Sequence, residues 1–153
     1  MQLSKNFTLQ ELIKSQTAIR LNINNTPTQQ NIVCLKALCE NILQRIRDRF
    51  EKPLTVSSGY RSAELCKAVG SSPKSQHAKG QAADIECLGV DNKVLAEWIK
   101  NNLEYDQLIL EFYKESEGPQ SGWIHVSYNP DKLRNQPLKA YKENGKTRYV
   151  VWL

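Results

Sequence analysis

The sequence has no uninterrupted run of about 18 apolar residues, which is the length a helix needs to cross a membrane. Its first residues, MQLSKNFTLQELIKS, also lack the apolar core and the small-residue cleavage site of a secretory signal. We therefore expect no transmembrane segment, synthesis in the cytoplasm, and another delivery route if the protein acts outside it. The length of 153 residues predicts a single domain over 1–153, and we expect a monomer.

The four cysteines form no CxxC pair and no zinc-finger spacing, which excludes a cysteine-rich structural zinc site. We interpret them as free thiols that pack in the interior. The net charge of +5 favours an anionic partner such as nucleic acid, anionic lipid or cell wall, but it is equally compatible with solubility alone. Because the basic residues after position 129 are spread through a polar stretch, we expect no specific nucleic-acid site.

Hydrophobic periodicity and capping residues place helices early in the chain and strands mostly later. Thr8 and Glu11 form a capping-box pattern, and Leu35 and Ile42 belong to one apolar face of a long helix. The predicted helices cover 8–15, 28–50, a short stretch ending at 69, and 92–103. The predicted strands cover 54–60, 82–88, 106–113, 122–128 and the closing YVVWL, with a polar, basic loop over 129–147. This order predicts an α+β fold, with a central antiparallel sheet and flanking helices.

Only two histidines are present, His77 and His125, and a lone histidine is usually structural. Asp84 stands inside the otherwise apolar strand sequence AADI, where an isolated carboxylate is costly to bury unless a metal or hydrogen bonds stabilise it. Spacing alone does not decide between a metal and backbone hydrogen bonds near a strand end. Two imidazoles and one carboxylate are, however, a typical catalytic zinc set that leaves a fourth position for water.

Three segments carry a resemblance to a known superfamily. SQHAKGQAADI resembles the SxHxxGxAxD motif of the zinc D-alanyl-D-alanine carboxypeptidases and L-alanyl-D-glutamate endopeptidases, whose superfamily also contains the hedgehog signalling domain. WIHVS resembles the second motif of these proteins, and SSGYRS resembles the upstream segment that carries an arginine. With FTLQELIKSQTA, the long helix and QLILE, the resemblance covers about residues 7–128.

The resemblance implies the hedgehog/DD-peptidase-like fold, one Zn²⁺ ion, and hydrolysis of peptide bonds in peptidoglycan stem peptides by a carboxypeptidase or endopeptidase. By position, His77, Asp84 and His125 match the zinc ligands. Arg61 matches the arginine that polarises the scissile carbonyl or binds a substrate carboxylate. Small single-domain relatives are often phage lysis or virion proteins, so the resemblance also implies an endolysin-like protein of phage or prophage origin that acts in the periplasm or cell wall.

The general base is less directly implied, because many relatives place an acidic residue where this chain has Gly122. The hedgehog-like branch uses a glutamate at the end of the preceding strand, and Glu111 occupies that place. A glutamate that closes a strongly apolar strand also calls for a functional or paired role, and a salt bridge with Arg61 is the structural alternative. Glu86, two residues beyond Asp84 on the same predicted strand face, is the second candidate.

The remaining expectations concern substrate contacts and rival functions. Ser75 and Gln76 are expected to line the entrance and Tyr128 to pack on the substrate. Trp123 is expected to pack either on the substrate or, by preference, in the core. The absence of an acid at Gly122 supports a rival hypothesis, a zinc-binding module of the same fold without catalysis. A two-histidine phosphoesterase is a weaker rival, because HVS at His125 resembles one of its elements but the required second element is missing.

Overall fold

The computed structural model describes residues 1–152, and within that range helices precede a large sheet. The α-helices are α1 (Leu9–Ile13), α2 (Gln16–Arg20), α3 (Gln29–Leu38), α4 (Gln44–Phe50), α5 (Ala63–Ala68) and α6 (Asn92–Asn102). The strands are β1 (Gln2–Ser4), β2 (Phe7–Thr8), β3 (Leu54–Ser58), β4 (Ala82–Cys87), β5 (Gln107–Glu111), β6 (Trp123–Ser127), β7 (Gln136–Glu143) and β8 (Lys146–Val151). The predicted α+β class is confirmed.

The helices begin at the capping residues that the sequence indicates. The Thr8 hydroxyl accepts a hydrogen bond from the Glu11 backbone N–H, and the Glu11 carboxylate accepts one from the Thr8 N–H, which completes a capping box. Helices α3 and α4 form the predicted long helix over 29–50, and its apolar face, which includes Leu35 and Ile42, is fully buried. A π-helical turn at Cys39–Leu43 joins the two helices, a detail that the apolar periodicity did not indicate.

The main sheet has the strand order β3-β4-β6-β5-β7-β8. Neighbouring strands in this described sheet run antiparallel, as predicted, except that β5 and β7 are parallel. The expectation of a loop over 129–147 is wrong, because β7 and the start of β8 lie there. The two strands are joined by a tight turn at Asn144 and Gly145, which have φ values of 51° and 77°. An Asn-Gly pair is the standard sequence signal for such a hairpin turn.

The two faces of the sheet have different roles. Leu108, Ile124 and Val126 are fully buried on the face that packs in the main core with the long helix and α6. Alternation along the strands places their neighbours, including His125, on the opposite face. The second face is therefore free to carry polar side chains. No helix within residues 1–152 combines the length and apolar character needed to cross a bilayer.

Candidate metal centre

Three side chains that are far apart in sequence converge on the polar face of the sheet. Asp84 on β4 and His125 on β6 are direct cross-strand partners, so their side chains leave the sheet side by side. His77 lies on a short 3-10 helix, Gln76–Lys79, just before β4. An Asp84 carboxylate oxygen, Oδ1, lies 3.1 Å from His125 Nδ1 and 3.5 Å from His77 Nε2. One ligand atom from each of the three residues lies within 4.8 Å of the others.

The backbone of the loop after β3 fixes the orientation of His77. Its side chain is buried, and its Nδ1 lies 2.7 Å from the carbonyl oxygen of Gly59. Because a carbonyl can only accept, Nδ1 carries the proton and donates it, which leaves the Nε2 lone pair facing Asp84. A Cβ atom at Gly59 would overlap the backbone oxygen of Leu12, so a residue without a side chain is required there.

The electrostatics of the cluster keep Asp84 ionised. Burial on its own would raise the pKa of the Asp84 carboxyl, but the hydrogen bond with His125 and the adjacent His77 imidazole outweigh it and hold the pKa well below its usual range. A carboxylate that stays charged next to two imidazoles is a suitable metal ligand, because ligands must bind in their deprotonated form.

The spacing of the donor atoms fits a tetrahedral metal ion. Two ligands at about 2.0–2.1 Å from a zinc ion lie about 3.3 Å apart in a tetrahedral arrangement. The two separations from Asp84 Oδ1, 3.1 Å and 3.5 Å, lie on either side of that value. The cluster contains none of the four cysteines, which are all free and buried. Two histidines and one carboxylate are a donor set typical of open catalytic zinc sites rather than of closed structural ones.

The cluster opens into a pocket of about 470 Å³. The pocket is lined by Arg61, Ser71, Ser75, Gln76, Asp84, Gln107, Ile109, Glu111, Trp123, His125, Arg134 and Tyr149. Four side chains predicted to act here line it alongside Asp84 and His125, namely Arg61, Ser75, Gln76 and Glu111. His77 lies buried behind its wall.

A family model described as Peptidase M15 matches residues 5–127, which include the whole His–Asp–His cluster, Arg61 and Glu111. The chain belongs to the Peptidase M15 family. No curated protein matches it. Membership of this family indicates a metallopeptidase, and zinc is the metal that M15 peptidases generally use. The match ends at Ser127, so β7 and β8 lie beyond it.

Tyr128 of this M15 family member, which is expected at the substrate, is not among the residues that line the pocket. It lines a separate pocket with Asn41 and Arg45 and packs on the hydrophobic core. The reason is strand alternation, because Tyr128 continues the core-facing side of Val126 rather than the polar side of His125.

Trp123 lines the pocket, so of its two expected positions the structure favours the one beside the substrate over the core. Its ring contacts that of Phe112 at a centroid distance of 5.4 Å. Its buried Nε1 has no hydrogen-bond partner within residues 1–152. The indole nevertheless reduces the rise that burial causes in the pKa of the Glu111 carboxyl. Strand alternation again explains the position, because Trp123 is two residues from His125 and is the cross-strand partner of Glu111.

The two candidate bases occupy different surroundings. Glu111 lines the pocket, and burial raises the pKa of its carboxyl, with the charge of Asp84 adding to the rise. His125 and the Arg61 guanidinium act in the opposite direction and reduce that rise in the pKa of Glu111. Glu86 does not line this pocket and is paired with Thr55 at the β3 side of the sheet.

Gly122, which stands where many relatives carry an acid, cannot carry one in this M15 family member. Its φ is 63°, and an added Cβ would overlap the backbone oxygen of Glu111. The M15 chain therefore has a glycine at this turn for steric reasons, and the acidic residue that lines the pocket besides Asp84 is Glu111 on β5.

Sequence reasoning missed several pocket residues, above all Arg134 and Tyr149. Arg134 comes from the predicted loop over 129–147, and Tyr149 is the first residue of the predicted closing strand YVVWL. Tyr149 is the cross-strand partner of Ala140, and Ala140 is the partner of Glu111, so the β7–β8 hairpin extends the floor of the site. The Asn-Gly pair at 144–145 is the signal that would have found the hairpin.

Proposed function

We propose that this chain is a zinc peptidase that hydrolyses peptide bonds in the stem peptides of bacterial peptidoglycan, as a carboxypeptidase or an endopeptidase. The observation that carries the proposal is the meeting of His77, Asp84 and His125 at a pocket that is also lined by Glu111 and Arg61, in a member of the M15 family. Ligands, a carboxylate base and a fixed cation are the groups that metal-assisted peptide hydrolysis requires.

The metal would be held by His77 through Nε2, by a carboxylate oxygen of Asp84 and by His125 through Nδ1, the atoms that face one another. When bound, zinc supplies a Lewis acid that polarises a carbonyl and lowers the pKa of water to about 7. The protein's part is to fix the ligands. Gly59 holds the His77 ring through Nδ1, and the β4–β6 pairing holds Asp84 against His125.

Glu111 is proposed as the general base. It takes a proton from the attacking water and then donates that proton to the nitrogen of the leaving amine as the peptide bond breaks. Its burial raises the pKa of the carboxyl, which makes the carboxylate a stronger base than an exposed glutamate. Glu111 lies on β5, two residues after Ile109, which is the cross-strand partner of His125. A strand gives the side chain the rigid support that a base needs.

Arg61 is proposed to bind the scissile carbonyl oxygen or a substrate carboxylate. Its backbone N–H donates to the carbonyl of His77 at 3.1 Å, which ties it to the turn that carries a metal ligand. Its side chain lines the pocket, and its buried Nε has no hydrogen-bond partner within residues 1–152. Ser75 and Gln76 border the same pocket and are proposed to contact the peptide at its entrance.

Replacing Arg61 by lysine should keep the fold and the zinc but remove most of the turnover, because an ammonium group cannot present the guanidinium's two parallel donors. The loss is expected to be about tenfold or more, corresponding to one charge-assisted hydrogen bond. Steady-state kinetics on a synthetic stem peptide, with metal content measured in parallel, checks this. Unchanged turnover would make Arg61 a structural residue.

The rival function is a zinc-binding module without catalysis. Its main support was the missing acid at Gly122, and the position of Glu111 in the pocket weakens that support. Zinc-loaded protein that cleaves no stem peptide would favour the module over the enzyme. Origin in a phage or prophage, action at the cell wall and a monomeric state are part of the proposal and rest on resemblance to small lysis enzymes.

A further inference from the structure

Arg134 lies outside the family match and lines the same pocket as the metal cluster. It follows β6 by a short turn-containing segment and precedes β7, so it belongs to the C-terminal part of this chain. Its side chain is 44% exposed, whereas that of its partner Asp106 is only 5% exposed. Arg134 therefore lines the pocket and is held there by a buried acid. Solubility, the usual role of an exposed arginine, does not account for this arrangement.

The guanidinium of Arg134 is held rigidly by that acid. Its Nε donates to Asp106 Oδ1 at 2.7 Å and one terminal nitrogen donates to Oδ2 at 3.0 Å, a bidentate pair. The Arg134 backbone N–H donates to the same Oδ1 at 3.1 Å. The side chain is therefore fixed at both its root and its tip, unlike an ordinary exposed arginine, which pays side-chain entropy to adopt one geometry.

The same carboxylate connects Arg134 to the turn that carries a metal ligand. Gln76, the residue before His77, donates from its side-chain nitrogen to Asp106 Oδ2 at 2.7 Å. Asp106 itself is anchored through its backbone N–H to the carbonyl of Ser127, at the end of the His125 strand. Asp106 thus sets the position of Arg134 relative to both histidine-bearing elements.

The remaining donors of Arg134 are free to meet a ligand. A guanidinium has five N–H donors, and Asp106 accepts from two of them. The other three have no acceptor within residues 1–152, while the side chain borders the pocket. The Asp106 carboxylate already accepts four hydrogen bonds. It therefore does not need the three remaining N–H groups of Arg134, which can donate to a ligand instead.

We propose that Arg134 is a specificity-determining residue that binds a free carboxylate of the substrate peptide beside the metal cluster. This inference rests on the proposed peptidase function and adds a substrate class to it, namely peptides with an acidic group close to the cleaved bond. The carboxylate comes either from the C-terminus of the peptide or from an acidic residue within it. Asp106 acts as a positioning residue, and Tyr149 on β8 forms the adjoining wall.

The test measures binding rather than turnover, so that it does not depend on hydrolysis. Isothermal titration calorimetry is performed with the zinc-loaded Glu111→Gln chain and a synthetic stem peptide in three forms. One form has all carboxylates free, one is amidated at its C-terminus, and one is amidated at its acidic residue. We expect the free form to bind about tenfold more tightly than one of the two amides, which identifies the carboxylate that is bound.

Adding Arg134→Gln should abolish this difference and leave the affinity for that amide unchanged. Arg148→Gln is the matched control, because it removes the same charge from an exposed position on β8 outside the pocket. It should keep the tenfold preference. Thermal melting and zinc content establish that each variant is folded and loaded. If Arg134→Gln does not fold, Arg134→Lys, which keeps the charge but not the fork, should lose most of the preference.

Three results would overturn the inference: equal binding of all three peptides, equal weakening of all three by Arg134→Gln, or a preference that survives both Arg134 variants. Equal weakening would mean that the Arg134–Asp106 pair only holds the hairpin in place. The proposed function fails differently. If the binding pattern is as expected but the wild-type chain cleaves none of the peptides, the carboxylate site stands and hydrolysis does not.

Discussion

Glu111→Gln should keep the fold and the zinc while turnover of stem peptides falls by about 100-fold or more, the usual contribution of a positioned general base. Glutamine matches glutamate in size but cannot take up a proton at neutral pH. Glu111 is the pocket carboxylate that is left once Asp84 is used as a ligand, and its burial raises the pKa of the carboxyl. Steady-state kinetics at matched zinc content checks the expectation.

Glu86→Gln is the control for this variant, since Glu86 lies on β4, the strand of Asp84, but outside the pocket. It should retain wild-type turnover. An active Glu111→Gln together with an inactive Glu86→Gln would transfer the role of base to Glu86. If neither the parent nor any carboxylate variant turns over substrate, the non-catalytic zinc module becomes the better interpretation.

His77→Ala and His125→Ala should each lose the zinc ion, and with it all hydrolysis. Each change leaves two protein ligands, one fewer than catalytic zinc sites use. The His77 variant also leaves the Gly59 carbonyl without its donor, so it should melt at a lower temperature than the His125 variant. Elemental analysis of the purified proteins is the measurement, with one zinc per chain expected for the wild type.

Replacing Cys66 by serine provides the control for metal content, because Cys66 is buried near Arg61 but offers no atom to the cluster. That variant should keep its zinc. The ligand assignment fails if both histidine variants retain full occupancy, or if zinc is lost from a folded Cys66 variant.

Features that depend on short stretches of sequence could be predicted. The capping box at Thr8, the long helix over 29–50 and the strands that carry Asp84, Glu111 and His125 all follow from local pattern. The clustering of His77, Asp84 and His125 could be anticipated because their motif resembles that of a known superfamily. What the structure adds is that these residues do meet, at separations that suit a metal.

Features that depend on pairing between distant residues could not be predicted. Alternation from His125 puts Trp123 on the side of His125 and Tyr128 on the other side, but which side faces the pocket depends on the pairing of β6 with β4 and β5. The bond from Arg134 to Asp106 spans 28 residues and has no local signature. The steric reason for Gly122 becomes visible only when β5 lies against it.

Mass spectrometry of purified peptidoglycan after digestion tests the central claim most directly. The zinc-loaded chain should release fragments whose new ends identify one peptide bond, D-Ala–D-Ala, L-Ala–D-Glu or a crosslink. A chelator should abolish their release, added zinc should restore it, and Glu111→Gln should produce almost none. Peptidoglycan that yields no new peptide ends with fully zinc-loaded protein, or yields the same ends after the metal has been removed, would contradict the account.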